Sequence, residues 1–146
     1  MEQLAQQKRY TLTLFSGLTP EQLAYRYGDN KWRVQEILQH LIDCERILTY
    51  RALRFARHDI TPLPGFEEDW YVMQSGAMDR SITNMLEEYA IVRDASTALF
   101  RSFTPLMLTF TGTANNGQFT VNAMPYLVAG HELHHLRILR ERYQIS

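Results

Sequence analysis

The chain is 146 residues long and 45% hydrophobic, with 15 Lys+Arg against 16 Asp+Glu and a single cysteine. That length suits one domain, 1–146, and the near-neutral charge gives no footprint for nucleic acid or an anionic membrane surface. Cys44 alone excludes an intramolecular disulfide framework and a Cys-rich zinc module. No stretch is apolar enough to span a bilayer and Met1-Glu2-Gln3 is not expected to open a signal peptide, so a soluble, cytoplasmic protein is predicted.

Four long helical patterns follow one another. The first covers about Glu2 to Phe15 and stops at Ser16-Gly17, a C-terminal glycine signal. Thr19-Pro20-Glu21 reads as a capped short turn of helix, and Tyr27-Gly28-Asp29-Asn30 as a turn. The second pattern runs from Val34 to Ala56, with Val34, Ile37, Leu41, Leu48, Ala52 and Phe55 on one side. From Arg57 to Ala77, prolines, glycines and aromatic residues alternate over a length that favours a packed loop. The third pattern, Ser81 to Phe103, keeps i, i+3, i+4 spacing through Ile82, Met85, Leu86, Tyr89, Val92, Leu99 and Phe100, and Thr104-Pro105 ends it. Leu106 to Thr120 fits either a small hairpin or an irregular loop. The fourth begins at an N-cap, Thr120, and runs to about Tyr143, with Pro125 in its first turns and Arg137, Arg140 and Arg142 near its end. The predicted fold is all-α, an antiparallel four-helix bundle with a long connection between its second and third helices.

Three of the five histidines lie between positions 131 and 135. On the fourth helix Met124, Leu127, Val128, Ile138 and Leu139 define an apolar stripe, and at about 100° per residue His131 and His135 project near its middle. His134 falls on the flank and Glu132 on the other side; taken as His131-Glu132-Leu133-His134, the segment reads as one residue short of the zinc-protease element, so no base role is expected of Glu132. Two imidazoles one turn apart on a core-facing stripe need partners, either a shared metal ion or neighbouring hydrogen-bonding groups. Spacing alone leaves both open. A bundle metal site draws on facing helices, and His40, at the edge of the second helix's stripe, is the histidine available there. His58 reads as a surface or satisfied residue.

The segment Trp32-Arg33-Val34-Gln35-Glu36-Ile37-Leu38-Gln39-His40-Leu41-Ile42-Asp43-Cys44-Glu45 resembles the start of the second helix in the DinB/YfiT-like metalloenzyme superfamily: a tryptophan, then a helix carrying His-Leu-x-Asp-x-Glu. Gly130-His131-Glu132-Leu133-His134-His135 resembles that family's last-helix His-x-x-x-His element. The resemblance extends over nearly the whole chain. It implies a four-helix bundle holding a divalent metal, zinc or nickel, through His40, His131 and His135. It further implies a homodimer and a small-molecule substrate, with a low-molecular-weight thiol as the group activated in a transferase or isomerase. Metal-dependent hydrolysis is the alternative chemistry, and a non-enzymatic metal-binding or structural bundle acting through association is the alternative class.

The neighbours of His40 have readings of their own. Asp43 lies on a flank from which it can hold an imidazole, and Glu45 is turned away and expected to pair with an arginine or cap a helix. Cys44 reads as a small packing residue, with a place at the metal as the other option. Trp70-Tyr71 fit a core, a pocket mouth or a dimer contact, and Glu67-Glu68-Asp69 a solvated surface run.

Overall fold

Four long helices form where apolar residues recur at helical spacing: α1 (Glu2–Ser16), α3 (Val34–Ala56), α5 (Ile82–Arg101) and α7 (Met124–Arg142). Three short helices, α2 (Pro20–Ala24), α4 (Glu68–Gln74) and α6 (Pro105–Thr109), and a hairpin of β1 (Thr111–Ala114) and β2 (Gly117–Thr120) fill the connections. The computed structural model describes residues 2–146. Local chemistry accounts for most of the boundaries. Thr19 and Gln22 close a reciprocal capping box at the start of α2, with Pro20 in its first turn. Ser81 accepts from the Asn84 amide to begin α5, and Thr104 accepts from that of Met107 to begin α6. Thr120 caps a 3-10 turn, Val121–Ala123, that leads into α7, where Pro125 is accommodated in the first turn.

Leu106 to Thr120, open between hairpin and loop by sequence, is a short helix followed by a hairpin. Asn115 and Asn116 both have positive φ, 47° and 61°, which makes a two-residue turn matched to the twist of the strands. The 57–81 connection, expected to pack, is mostly exposed and anchored by buried Leu63, Val72 and Ala77, and it contains α4, whose irregular apolar spacing gives no periodic signal. Leu63 bridges to β1 through its amide to Thr113 and its carbonyl from Asn115, which stitches this connection to the hairpin. Gly112 in β1 lies flat against the Phe55 ring, where a Cβ would overlap it.

The four-helix bundle has a particular connectivity. Around the bundle the helices lie in the order α1, α5, α3, α7, so that consecutive long helices α1 and α3, and α5 and α7, sit diagonally. Gln7 and Thr11 meet Ala129 and Glu132 in ascending order, so α1 and α7 run parallel. Gln39, Arg46 and Thr49 likewise meet Arg80, Glu88 and Ser96, and α3 runs parallel to α5. The antiparallel neighbour of α3 is α7: Trp32 meets Tyr143, and His40 meets His131. Two parallel neighbours require a crossover that returns along the bundle, and the 57–81 connection supplies it.

The core is in two apolar parts. One gathers Phe15, Ile37, Ile42, Met85, Tyr89 and Leu139; the other gathers Leu4, Phe55, Phe100, Val121, Met124 and Val128. Between them lies a buried charged layer. Arg93, 1% exposed, donates to both carboxylate oxygens of Glu45 at 2.8–3.0 Å, to Glu132 at 2.9 Å and to the Leu4 carbonyl at 3.1 Å. Thr11 donates to Glu132 at 2.7 Å, and the Tyr89 hydroxyl donates to the same oxygen. Burial works against the Arg93 charge, but its bonds to Glu45 and the Glu132 carboxylate outweigh it and hold the guanidinium protonated.

Candidate metal centre

His40 sits two turns into α3, and His131 and His135 sit one turn apart in the middle of α7. Because α3 and α7 are antiparallel neighbours, the three rings arrive at one level of the bundle. One ring nitrogen from each lies within 4.8 Å of the other two. The Nε2 atoms of His40 and His131 are 3.0 Å apart, and the ring centroids of the three pairs are 4.7–4.9 Å apart at steep mutual angles. His40 is 2% exposed while His131 is half-buried, so the cluster is rooted in the core and reaches toward the surface.

Burial sets the charge state. It depresses His40 to about 4, helped by His131, and His135 to about 3, helped by His131, His40 and His134. His131 is lowered by burial and His134 against the opposing pull of Glu132. All three rings are therefore neutral near pH 7, the form in which imidazole offers a lone pair to a metal. Three neutral nitrogen donors converging from two rigid helices are a donor set suited to a divalent ion.

The residues around the cluster divide clearly. Cys44 is buried with Sγ 3.6 Å from Nδ1 and 3.5 Å from Nε2 of His40. Near-equal distances to both nitrogens place the sulfur against the ring rather than end-on to either lone pair. Burial, then Glu68 and Asp43, push its thiol up to about 12. Asp43 accepts from Gln39 at 3.0 Å instead of holding an imidazole. Glu45 pairs with Arg93, the arginine partner anticipated for it. His134 is exposed and touches only the edge of the cluster, its centroid 5.2 Å from that of His135. His58 is exposed beyond the end of α3 and stacks on Phe110 at 4.6 Å.

Glu132 requires a correction. Helical spacing predicts it on the far side of the helix from the core-facing stripe, whereas it is 2% exposed in the charged layer. Residues 131–135 do spell His-Glu-x-x-His, the zinc-protease element, with His131 and His135 as its histidines. What separates this site from that chemistry is the surroundings of Glu132. Its two oxygens accept from Arg93, Thr11 and Tyr89, so the carboxylate is spent on structure and does not present itself as a base.

Two further residues escaped the sequence reading. Arg93 lies four residues after Tyr89 on the buried side of α5, and a lone arginine on that face was the available signal. Trp32, which enters the sequence only as the tryptophan ahead of the second helix, lies over the imidazoles, 4.5 Å from His40 and stacked 6.2 Å from His135. Its Nε1 donates to Asp69 of α4 at 2.9 Å, and Asp69 stays exposed together with Glu67 and Glu68, as expected of a solvated acidic run. Trp70 and Tyr71 are exposed on α4.

No curated protein is significantly similar to this chain. Among solved structures, YfiT from Bacillus subtilis, described as a probable metal-dependent hydrolase with an unusual four-helix bundle topology, matches with a TM-score of 0.79. The match covers 99% of this chain and 86% of that one at 19% identity, which is a likeness of fold. A family model described as the DinB superfamily matches residues 3–139, and the chain belongs to that superfamily.

Proposed function

We propose that His40, His131 and His135 together bind one divalent metal ion, zinc or nickel, and that the protein is a metal-dependent enzyme acting on a small molecule. The observation that carries this reading is the convergence of three neutral imidazoles within 4.8 Å at one level of the bundle. A bound ion would lower the pKa of the group held beside it and orient that group. The chain's own part is to keep the three rings neutral through burial and to hold them on two rigid helices. Membership of the DinB superfamily supports a low-molecular-weight thiol as the group activated, in a transferase or isomerase. The description of YfiT favours hydrolysis as the second reading. A second copy of the chain, forming a homodimer, and a cytoplasmic setting complete the proposal.

Metal analysis of untagged protein tests the site. One ion per chain is expected, with His135→Ala losing it while keeping the helical circular-dichroism signal. Absence of stoichiometric metal, together with a melting temperature indifferent to chelator and to added zinc or nickel, overturns the reading. Titrating the metal-loaded protein with a panel of small thiols then separates the chemistries: a thiol that coordinates the ion selects the transferase, and none doing so favours the hydrolase.

A further inference from the structure

Trp32 is held from two directions. Its backbone carbonyl accepts from the Tyr143 hydroxyl at 2.7 Å, just past the end of α7, and its indole N–H donates to Asp69 on α4. Pinned this way, the half-buried indole covers two of the three histidine rings, at 4.5 Å and 6.2 Å between centroids. His40 and His131 have each other and the helix interior against them, but the orientation of an imidazole about its own bonds is set by what packs on its faces. Without Asp69 the indole keeps its packing but loses the hydrogen bond that fixes its N–H edge. Asp69 is exposed and, apart from this bond, has no hydrogen-bonded or ion-pair partner among the described residues. An exposed carboxylate reaching from a separate short helix to a half-buried indole is a specific arrangement, and packing alone does not call for it.

Building on the metal reading above, we propose that Asp69 is a positioning residue of the metal centre. Through one hydrogen bond it fixes the Trp32 indole over His40 and His135, so that both rings are ordered for a common ion. The 57–81 crossover is thereby part of the site, and α4 contributes a residue that touches no metal ligand itself.

The test is zinc affinity by competition with a chromophoric chelator in the full-length protein. Asp69→Ala and Trp32→Phe should each weaken zinc binding by about 10-fold, the lower end of what loss of a ligand-orienting partner costs. The double variant should lose no more than either single variant, because both remove the same bond. Asp69→Asn, whose carbonyl oxygen can still accept from the indole, should stay within about twofold of the parent. In a Trp70→Phe background the emission reports Trp32 alone: it should be quenched by nickel, and Asp69→Ala should lower its anisotropy. The melting temperature of metal-free Asp69→Ala should match the parent, since Asp69 is exposed. Parent-like zinc affinity in Asp69→Ala, or losses that multiply in the double variant, overturns the proposal while leaving the metal site standing. Failure of the unmodified protein to bind zinc or nickel overturns both.

Discussion

Replacing Arg93 with methionine is the sharpest probe of what holds the bundle in register. The substitution keeps most of the side-chain volume and removes a guanidinium that is 1% exposed. Five hydrogen bonds go with it: three to Glu45, one to Glu132 and one to the Leu4 carbonyl. Two carboxylates, 3% and 2% exposed, are left without their cation. Removing one partner of a buried ion pair costs about 3–5 kcal/mol, because the remaining charge stays desolvated. For a chain of this size that corresponds to a fall of roughly 10–16 °C in melting temperature. Urea unfolding followed by circular dichroism measures it. A second variant separates charge from shape: Arg93→Met combined with Glu45→Leu and Glu132→Leu leaves no buried charge and should recover more than half of the loss, with Tyr89 and Thr11 still short of an acceptor. Arg93→Met unfolding within 1 kcal/mol of the parent, or the triple variant proving less stable than the single one, would refute the argument.

Two other outcomes follow from the same physics. In the metal-free protein His40 and His135 are depressed from 6.5 to about 4 and about 3, so between those values and 6.5 the unfolded chain binds more protons than the folded one. Stability should therefore fall as pH is lowered from about 7 toward 3, and His40→Gln with His135→Gln should flatten the pH dependence of the urea midpoint across that window. Gly112→Ala drives a methyl group into the Phe55 ring and should cost about 1–3 kcal/mol, read from the same unfolding curves; a neutral result would show that β1 shifts freely off α3.

The charged layer also explains a limit of reading helices as stripes. The projection of α7 found two histidines among apolar residues, and both do face α3. It misplaced Glu132 because it assumed that the buried side of a helix is apolar. In this bundle α7 touches α1 as well as α3, so a second side is buried, and there a carboxylate is stabilised by Arg93, Tyr89 and Thr11 arriving from two other helices. Nothing in the neighbourhood of Glu132 in the sequence announces those partners. The same holds for Trp32 and Asp69, 37 residues apart and joined only by the path of the crossover.

The amino-acid sequence determined the local outcomes: Val34–Ala56 as one helix, Thr19, Ser81 and Thr120 as caps, and His131 and His135 on one side of α7. These depend on period, capping groups and prolines, interactions within a few residues that any stretch of chain carries with it. Tertiary structure decided which helices became neighbours, and with that which distant side chains share a level. His40 meets His131 and His135 because α3 and α7 are antiparallel and adjacent, Glu45 and Glu132 share Arg93 because α5 lies across the core, and Asp69 reaches Trp32 because α4 packs beside α3. Such meetings are set by the packing of whole faces and the burial of charge, and those energies exist only once the bundle has closed.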